Sequence, residues 1–315
     1  MEAATTSSTS ATPGASALGV ARPRYGEKII KALLFSAAMV SVLTTVCIVA
    51  SLLGETIRFF GDVSLKEFLT GTEWAPLFSD PKFGVLPLVG GTMLVTGIAL
   101  TVAIPLGLGS AIYLAEYAKP RTRRILKPIL ELLAGIPTIV FGYFALTFFT
   151  PTILRDLLGV DVQIFNALSA GIVMGFMVLP TIASVSEDAM SAMPMSLREG
   201  AFGLGANRLQ VSLRVVFPAA LSGIVAAVIL GISRAIGETL IVLIAAGQVP
   251  NLGVNPTEAY ETMTAFIAAT GKGDVPTGSI GYKTIFAVGT TLFLITLLMN
   301  AISIRFVRRF RQVYE

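Results

Sequence analysis

The chain of 315 residues contains no histidine, a single cysteine and few charged residues. Without histidine, metal sites built on imidazole and catalytic triads that use a histidine base are excluded. The one cysteine, Cys47, cannot form a disulfide within the chain, and we interpret it as a small apolar residue. Charged residues make up 13% of the chain, against about 25% in a typical soluble domain, which disfavours an extended solvated surface.

Nucleotide-binding motifs are missing as well. The nearest fragment to the phosphate-binding loop G-x-x-x-x-G-K-[ST] is GKG at residues 271–273, which lacks the leading glycine and the hydroxyl residue. A dinucleotide-binding G-x-G-x-x-G pattern does not occur either. The sequence therefore predicts a chain that cannot hydrolyse ATP by itself and that has no catalytic residue, metal site or cofactor of its own.

The hydrophobic residues, 54% of the chain, are collected in long blocks rather than in stripes. A helix that spans a membrane needs about 20 predominantly apolar residues, and six blocks meet that length. An all-α integral membrane protein with six transmembrane helices is therefore predicted. The blocks cover residues 29–53, 85–114, 129–149, 164–183, 219–246 and 284–307.

The basic residues are distributed unevenly among the segments that connect these blocks. Sixteen of the 23 lysines and arginines fall on one side of the predicted membrane and six on the other. Cytoplasmic loops of membrane proteins carry the excess of lysine and arginine, so we expect both termini to be cytoplasmic. The remaining basic residue, Arg234, lies within the fifth block.

The connection between the first two blocks is expected on the outer side and carries large aromatic residues. Phe68, Trp74 and Phe78 are consistent with an aromatic belt at the level of the lipid head groups. They are equally consistent with a docking surface for an external protein, because aromatic residues are enriched in protein interfaces. The sequence leaves both interpretations open.

The connection between the fourth and fifth blocks is longer than a simple linker requires and contains helix signals. Ser196 with Glu199 three residues later resembles a capping box, which predicts a short helix over residues 197–202. A second helical piece is expected from Asn207, and Pro218 is expected to open the fifth membrane helix. The alternative is an amphipathic helix that lies on the membrane surface.

The same connection resembles the EAA loop of binding-protein-dependent ABC importers. The pattern of that family is E-A-A, three residues, G, nine residues and I-x-L-P, and every spacing matches here. Gly200, Val215 and Phe217 depart from the residues of the family pattern. The resemblance implies that the contact with an ATPase subunit is made by Glu199, Gly200, Ala201, Gly205 and Pro218.

Other segments resemble a narrower group, the permease subunits of the Pst phosphate importer, and most of all its C-type subunit. They are GTEWAPLF and FGVLPLVGGT before the second block, ELLAGIPTIVFG in the third and RAIGET in the fifth. The resemblance covers about residue 68 to the C-terminus and implies the six-helix fold of type I ABC importer permeases. We accordingly divide the chain into a disordered cytoplasmic tail (1–24), a first transmembrane helix with its outer loop (25–84), the ABC type I transmembrane core (85–307) and a basic cytoplasmic tail (308–315).

In that family the EAA loop forms a cytoplasmic coupling helix, which sits in a cleft of the ATPase. The resemblance implies a non-catalytic permease of the bacterial plasma (inner) membrane that passes phosphate from an external binding protein to the cytoplasm. Its implied partners are a homologous A-type permease, two ATPase subunits that hold ATP and Mg, the phosphate-binding protein and membrane lipid, but no nucleic acid. Two alternatives stay open: a permease for another oxyanion, and a gradient-driven secondary transporter, against which the lack of a detectable inverted repeat argues.

Arg234 and Glu238 are four residues apart within the fifth block, which predicts a shared helix face. A charge at the centre of a bilayer costs roughly 2.5–3.5 kcal/mol on insertion scales, so both residues need a compensating environment. Three interpretations are open: an ion pair within the helix, an ion pair of Arg234 with Glu131, and a substrate pathway. A pathway suits phosphate, because a guanidinium matches oxyanion geometry and Glu238 could accept the proton that phosphate retains near neutral pH.

Overall fold

The computed structural model describes residues 25–273 and 275–310, most of which are helical. The predicted tail of residues 1–24 and the final residues 311–315 lie outside the described residues. The chain divides into two compact units after residue 51. The first unit, over its described residues, is the start of one helix.

The structure consists of α-helices, four π-helical segments and one short antiparallel pair of strands, β1 and β2. The helices and strands are α1 (Tyr25–Asp62), α2 (Leu65–Thr70), β1 (Trp74–Ala75), β2 (Lys82–Phe83), α3 (Leu86–Ile112), α4 (Pro120–Ala134), α5 (Thr138–Phe144), α6 (Ala167–Ser191), α7 (Met195–Gly203), α8 (Arg208–Val211), α9 (Phe217–Ala219), α10 (Leu221–Ile236), α11 (Met263–Lys272) and α12 (Ile280–Phe310). The π-helical segments are Tyr113–Tyr117, Ala145–Leu157, Ser212–Val216 and Val242–Ala246.

The expected all-α membrane architecture is confirmed. Among the described residues, five helical stretches are long and apolar enough to cross a membrane, and the count is six if a bent pair of helices is taken as one crossing. The two arms of the pair meet at an angle of 74° at Ala220, which lies at the start of the fifth predicted block. The crossings are Gly26–Asp62, Leu86–Tyr117, Thr138–Leu157, Ala167–Ser191, Arg208–Ala219 with Leu221–Ile236, and Ile280–Arg305.

The third block, predicted to begin its crossing at residue 129, is divided in the structure. Helix α4 ends at Ala134, and the crossing begins only at Thr138. Pro137 explains the division, because it lacks a backbone donor and restricts the preceding Ile136 to extended conformations. All residues of α4 are exposed or half-buried, and its apolar side chains gather on one face. Helix α4 is therefore a separate amphipathic helix.

Helix α6 lies at the centre of the core, because glycines let neighbouring helices approach it closely. Of the five crossings that are not bent pairs, α6 is the most buried: 61% of its most apolar 18-residue stretch lies inside the protein. A Cβ atom added to Gly175 would lie 2.8 Å from the carbonyl oxygen of Ala99 on α3. A Cβ added to Gly231 on α10 would lie 2.7 Å from the Ile182 side chain of α6. Small residues at such crossings are the usual means by which membrane helices pack.

A second core cluster is aromatic and lies beside the short hairpin of β1 and β2. Trp74 packs edge to face on Phe68 and Phe266, and Phe59 does the same on Phe68. Trp74 is 5% exposed and Phe68 1% exposed, so a membrane belt or a docking surface formed by these two residues was the wrong interpretation. Phe78, at 75% exposure, remains on the surface.

Candidate functional site: a broken helix and a surface helix

Helix α10 ends at Ile236, inside the fifth predicted block, and the chain becomes helical again at Leu240. The Glu238 carboxylate stabilises the break, because its Oε1 accepts the backbone N–H groups of Leu240 at 3.0 Å and Ile241 at 3.3 Å. A side chain that binds the first free N–H groups of a helix favours the start of a new helix over the continuation of the old one. The expectation that Arg234 and Glu238 share one helix face is therefore wrong.

Arg234 lies in the last turn of α10, where the negative end of the helix dipole favours a cation. The side chain is half-buried, and its Nη1 donates a hydrogen bond to Oγ1 of Thr181 on α6 at 2.8 Å. Within the described part of the chain, Arg234 forms no ion pair with Glu238 or with Glu131, which lies on α4. Its charge is therefore oriented by a neutral hydroxyl group.

The break is also connected to α11. Oγ1 of Thr264 donates a hydrogen bond of 2.6 Å to the backbone carbonyl of Glu238, whose side chain is buried. Thr262 caps α11 by accepting the backbone N–H of Ala265 at 3.2 Å. The break thus follows the end of the fifth crossing at Ile236, and protein groups satisfy its polar backbone. Broken helices whose free backbone groups are satisfied in this way form substrate sites in transporters.

The connection between α6 and α10 contains helix α7, which includes the predicted helix over residues 197–202. The predicted capping box of Ser196 and Glu199 is wrong, because the helix begins one residue before Ser196 and Pro194 occupies the cap position. A true capping box occurs at the next helix: the side chains of Asn207 and Gln210 each accept the other's backbone N–H at 2.9 Å. The predicted start of the second piece at Asn207 is confirmed.

The residues of the EAA-like pattern lie on α7 and on the turn that follows it. Glu199 and Gly200 are exposed, and Ala201 is half-buried. A Cβ added to Gly200 would meet no atom within 4 Å among the described residues, so packing does not require glycine there. Gly205 has a φ of 83°, a conformation that favours glycine, and it reverses the chain towards α8. Pro218 lies in the first turn of α9, just before the 74° bend.

Apolar side chains surround these residues on the surface. Met195 is 63% exposed, Phe202 46% and Leu204 91%. Exposed apolar side chains grouped beside polar ones are typical of a surface that a partner covers. Glu199 and these apolar side chains therefore lie together on the exposed part of α7 and of the turn after it.

Two polar contacts of α6 could not be anticipated from the sequence. One is the hydrogen bond that Arg234 donates to the Thr181 hydroxyl group, whose residue lies 53 positions earlier in the chain. The other is the fully buried Glu187, whose carboxylate pairs with Arg123 and Lys127 of α4 and accepts the Ser191 hydroxyl at 2.9 Å. Glu187 thereby holds α4 against the end of α6.

A buried carboxyl group lies at the other end of the protein, outside the membrane-spanning helices. Glu261 is 7% exposed and lines a cavity of about 380 Å³ together with Trp74, Pro250, Phe266 and Thr270. Burial among largely apolar neighbours raises the pKa of the Glu261 carboxyl group to about 7. Glu261 is therefore a mixture of neutral and ionised forms near neutral pH.

Comparison with known proteins identifies the class of this chain. Residues 103–312 match the family described as binding-protein-dependent transport system inner membrane component, and the chain belongs to that family. Its fold resembles that of a bacterial ABC transporter involved in alginate import (TM-score 0.64, 15% identity, 92% of this chain and 100% of that one). It also resembles the methionine ABC transporter MetNI (TM-score 0.53, 20% identity, 73% and 95%).

The relatives found by sequence similarity belong to a narrower group of proteins than the family as a whole. The chain is 34% identical over 307 residues to the phosphate transport system permease protein PstC 1 of Mycobacterium tuberculosis, and the match covers 85% of this chain and 90% of the relative. It is 30% identical to PstC of Haemophilus influenzae, with 88% and 91% covered. It is 40% identical over 248 residues to the probable ABC transporter permease protein YqgH of Bacillus subtilis, with 77% and 79% covered. The resemblance to C-type Pst permeases is thereby confirmed.

Replacing Glu261 with glutamine should stabilise the protein at pH 8 and have little effect near pH 4.5. Burial raises the pKa of the carboxyl group in the folded state, so the folded protein binds more protons than the unfolded chain, and stability falls as pH rises from about 4.5 to 7. Glutamine removes this cost, which is about 3 kcal/mol above pH 7. Thermal unfolding in detergent at both pH values measures the difference.

The exposed Glu73, beside Trp74 in sequence, provides the control. Glu73→Gln should leave the pH dependence of unfolding unchanged. An offset between Glu261→Gln and the parent protein that is equal at pH 4.5 and pH 8 would contradict the raised pKa.

Proposed function

We propose that this chain is the C-type membrane permease subunit of an ATP-driven phosphate importer, and that it passes phosphate from an external binding protein to the cytoplasm. The observation that carries this proposal is the relationship to named phosphate permeases, at 30–34% identity over at least 85% of the chain. The family supplies the class of transporter, and these relatives supply the substrate.

In this proposal Arg234 lines the route of the anion. Its guanidinium is half-buried and has only a neutral hydroxyl group as its bonding partner among the described residues, so its charge is available to an oxyanion. Glu238 lies on the other side of the helix break, with one carboxylate oxygen engaged by backbone N–H groups. We assign its carboxylate the role of accepting the proton that phosphate retains, which fully ionised sulfate lacks.

The same proposal makes α7 the coupling helix. Energy then comes from two ATPase subunits, which hold ATP and Mg and bind the exposed face formed by Glu199 and its apolar neighbours. A homologous A-type permease completes the membrane unit, and a phosphate-binding protein delivers the substrate from outside. The complex lies in the bacterial inner membrane, with both termini of this chain in the cytoplasm, as the basic residues predict.

Arg234→Gln should abolish phosphate uptake while the complex still assembles. Loss of the charge-assisted bonds to an anion corresponds to about 3 kcal/mol, or roughly a 100-fold fall in rate. Uptake of radiolabelled phosphate into cells or proteoliposomes measures the effect, and co-purification of the subunits measures assembly. The control is Arg58→Gln, which removes a side chain that is 70% exposed and should leave uptake unchanged.

Loss of assembly in Arg234→Gln would favour a purely structural arginine. Wild-type uptake that unlabelled sulfate suppresses as strongly as unlabelled phosphate does would instead favour a general oxyanion permease. Uphill uptake by the lone polypeptide without an ATPase would establish a secondary transporter.

Thr181→Val should lower uptake about 10-fold, because the isosteric valine removes the hydroxyl group that orients the Arg234 guanidinium. Thr181→Ser keeps the hydroxyl group and should remain within about twofold of the parent. Initial rates over a range of phosphate concentrations separate affinity from turnover. Equal losses in the valine and serine variants would show that packing at this position matters, and not the hydrogen bond.

Gly205→Asp and Glu199→Lys should each uncouple ATP hydrolysis from transport. Aspartate at Gly205 strains a backbone with φ of 83° by about 1–2 kcal/mol and reorients the turn after α7. Lysine at Glu199 reverses a charge on the exposed face. The control is Glu73→Lys, which reverses an exposed charge outside α7 and should preserve activity. Uptake per ATP hydrolysed is the measurement, and unchanged coupling in both variants would refute the role of α7.

A further inference from the structure

Helix α7 contacts the rest of the protein through half-buried apolar side chains such as Ala201 and through one buried charged side chain. Arg198 is the buried residue of α7, with 8% exposure, whereas its neighbour Glu199 in the EAA-like pattern is exposed. A buried arginine is costly unless its donors are satisfied. The partners that satisfy Arg198 therefore identify what α7 is fastened to.

One of these partners belongs to the last turn of α6 and another to the connection that follows it. Nη2 of Arg198 donates to the carbonyl oxygen of Met190 at 2.9 Å, and Nη1 donates to that of Met193 at 2.6 Å. Met190 lies in the last turn of α6 and Met193 two residues after its end, where carbonyl groups can accept bonds from outside the helix. The guanidinium thus joins the first half of α7 to the last turn of α6.

The third partner belongs to the second membrane crossing. Glu116 lies in the π-helical turn that follows α3, and its Oε1 accepts Nε of Arg198 at 3.2 Å and Nη2 at 2.9 Å. Both side chains are about nine-tenths buried, at 10% and 9% exposure. One planar guanidinium therefore connects three separate elements at fixed angles, which the single flexible ammonium of a lysine could not do.

The opposite direction along α6 leads to the broken helix. Thr181, which binds Arg234, precedes Met190 by nine residues, a distance of roughly 14 Å along a helix. Helix α6 is also packed closely on α3 at Gly175. A displacement of α7 that is transmitted through Arg198 would therefore reach α6, which binds Arg234 beside the break, and α3, which packs on α6.

We infer that Arg198, together with Glu116, is the joint through which movement of α7 passes to α6 and to the second crossing. This inference rests on the proposed function, since it requires an ATPase that moves α7. Arg198 is a positioning residue: it contacts no substrate and acts on the pathway through α6. Its removal should separate ATP hydrolysis from transport rather than lower both together.

The test uses the complete complex in proteoliposomes, with phosphate-binding protein on the outer side and radiolabelled inorganic phosphate as the probe. The quantity measured is phosphate transported per ATP hydrolysed. Arg198→Gln should lower this ratio at least tenfold while ATP hydrolysis persists. Arg198→Lys should fall between Arg198→Gln and the parent, because an ammonium pairs with Glu116 but cannot also hold both carbonyls.

A matched control lies at the same end of α6. Asp188 pairs with Lys127 of α4 at 2.6 Å and makes no contact with α7 in the described part of the chain. Asp188→Asn should leave the ratio within twofold of the parent. If Arg198→Gln fails to assemble, Glu116→Gln decides the question, since it leaves both carbonyl bonds of Arg198 in place and should still lower the ratio.

The possible results separate the two proposals. In Arg198→Gln, uptake and ATP hydrolysis could fall together, at an unchanged ratio and in proportion to the amount of assembled complex. That result would overturn the inference and show that Arg198 only stabilises the structure. A normal ratio in Glu116→Gln would overturn it as well. A wild-type complex that hydrolyses ATP but moves no phosphate would overturn the proposed function and the joint along with it.

Discussion

The close approach of α3 to α6 is the contact on which the other features depend. Helix α6 carries the hydroxyl group that binds Arg234, the carboxylate that holds α4, and the Met190 carbonyl that binds Arg198 of α7. In a bilayer, helix association gains little from the hydrophobic effect, because lipid is as apolar as the side chains. Contact between backbones, as at Gly175 against Ala99, therefore sets where these three groups lie.

The polar groups of this protein are satisfied in a way that keeps opposite charges at the helix break apart. Arg234 binds a hydroxyl group of α6, and Glu238 binds backbone N–H groups of its own chain. Each residue is thereby oriented without neutralising the other. At the end of α6 the pattern is the reverse, because Glu187 and Arg198 are both paired with opposite charges. Mutually paired charges suit a structural joint, and charges held by neutral groups suit a site that must accept and release an ion.

Much of the fold follows from the sequence because a membrane requires about 20 predominantly apolar residues in each spanning helix. Local chemistry also predicts details, such as the start of the second piece at Asn207. The errors arise where a local signal competes with another one. Pro137 divides an apolar run that length alone joins to α4, and Glu238 caps a new helix where its spacing from Arg234 suggests a continuous one. Trp74 looks like an interface residue by type and is a core residue by contact.

The sequence could not identify the residues that complete the candidate site, for a different reason. Thr181 and Glu116 are ordinary residues in apolar segments, and their importance appears only when partners 53 and 82 positions away are brought within hydrogen-bond distance. No period or spacing contains that information, because it depends on how α3, α6 and α7 pack. Arg234, Glu199 and Gly205 could be selected because each is unusual in its local setting: a charge in an apolar block, or members of a spaced pattern.

The two glycines of the EAA-like pattern, Gly200 and Gly205, differ in whether the structure requires glycine at their position. Gly205 adopts a backbone conformation that other residues enter at a cost, whereas Gly200 faces open space and has an ordinary backbone. Glycine at 200 therefore costs helix α7 up to about 1 kcal/mol relative to alanine without any compensating contact within this chain. A helix that is weakened in its middle, exposed on one face and buried at Arg198 alone is poorly suited to stabilise the fold. It is suited to be held from two sides, by the joint at Arg198 and by a partner on its exposed face.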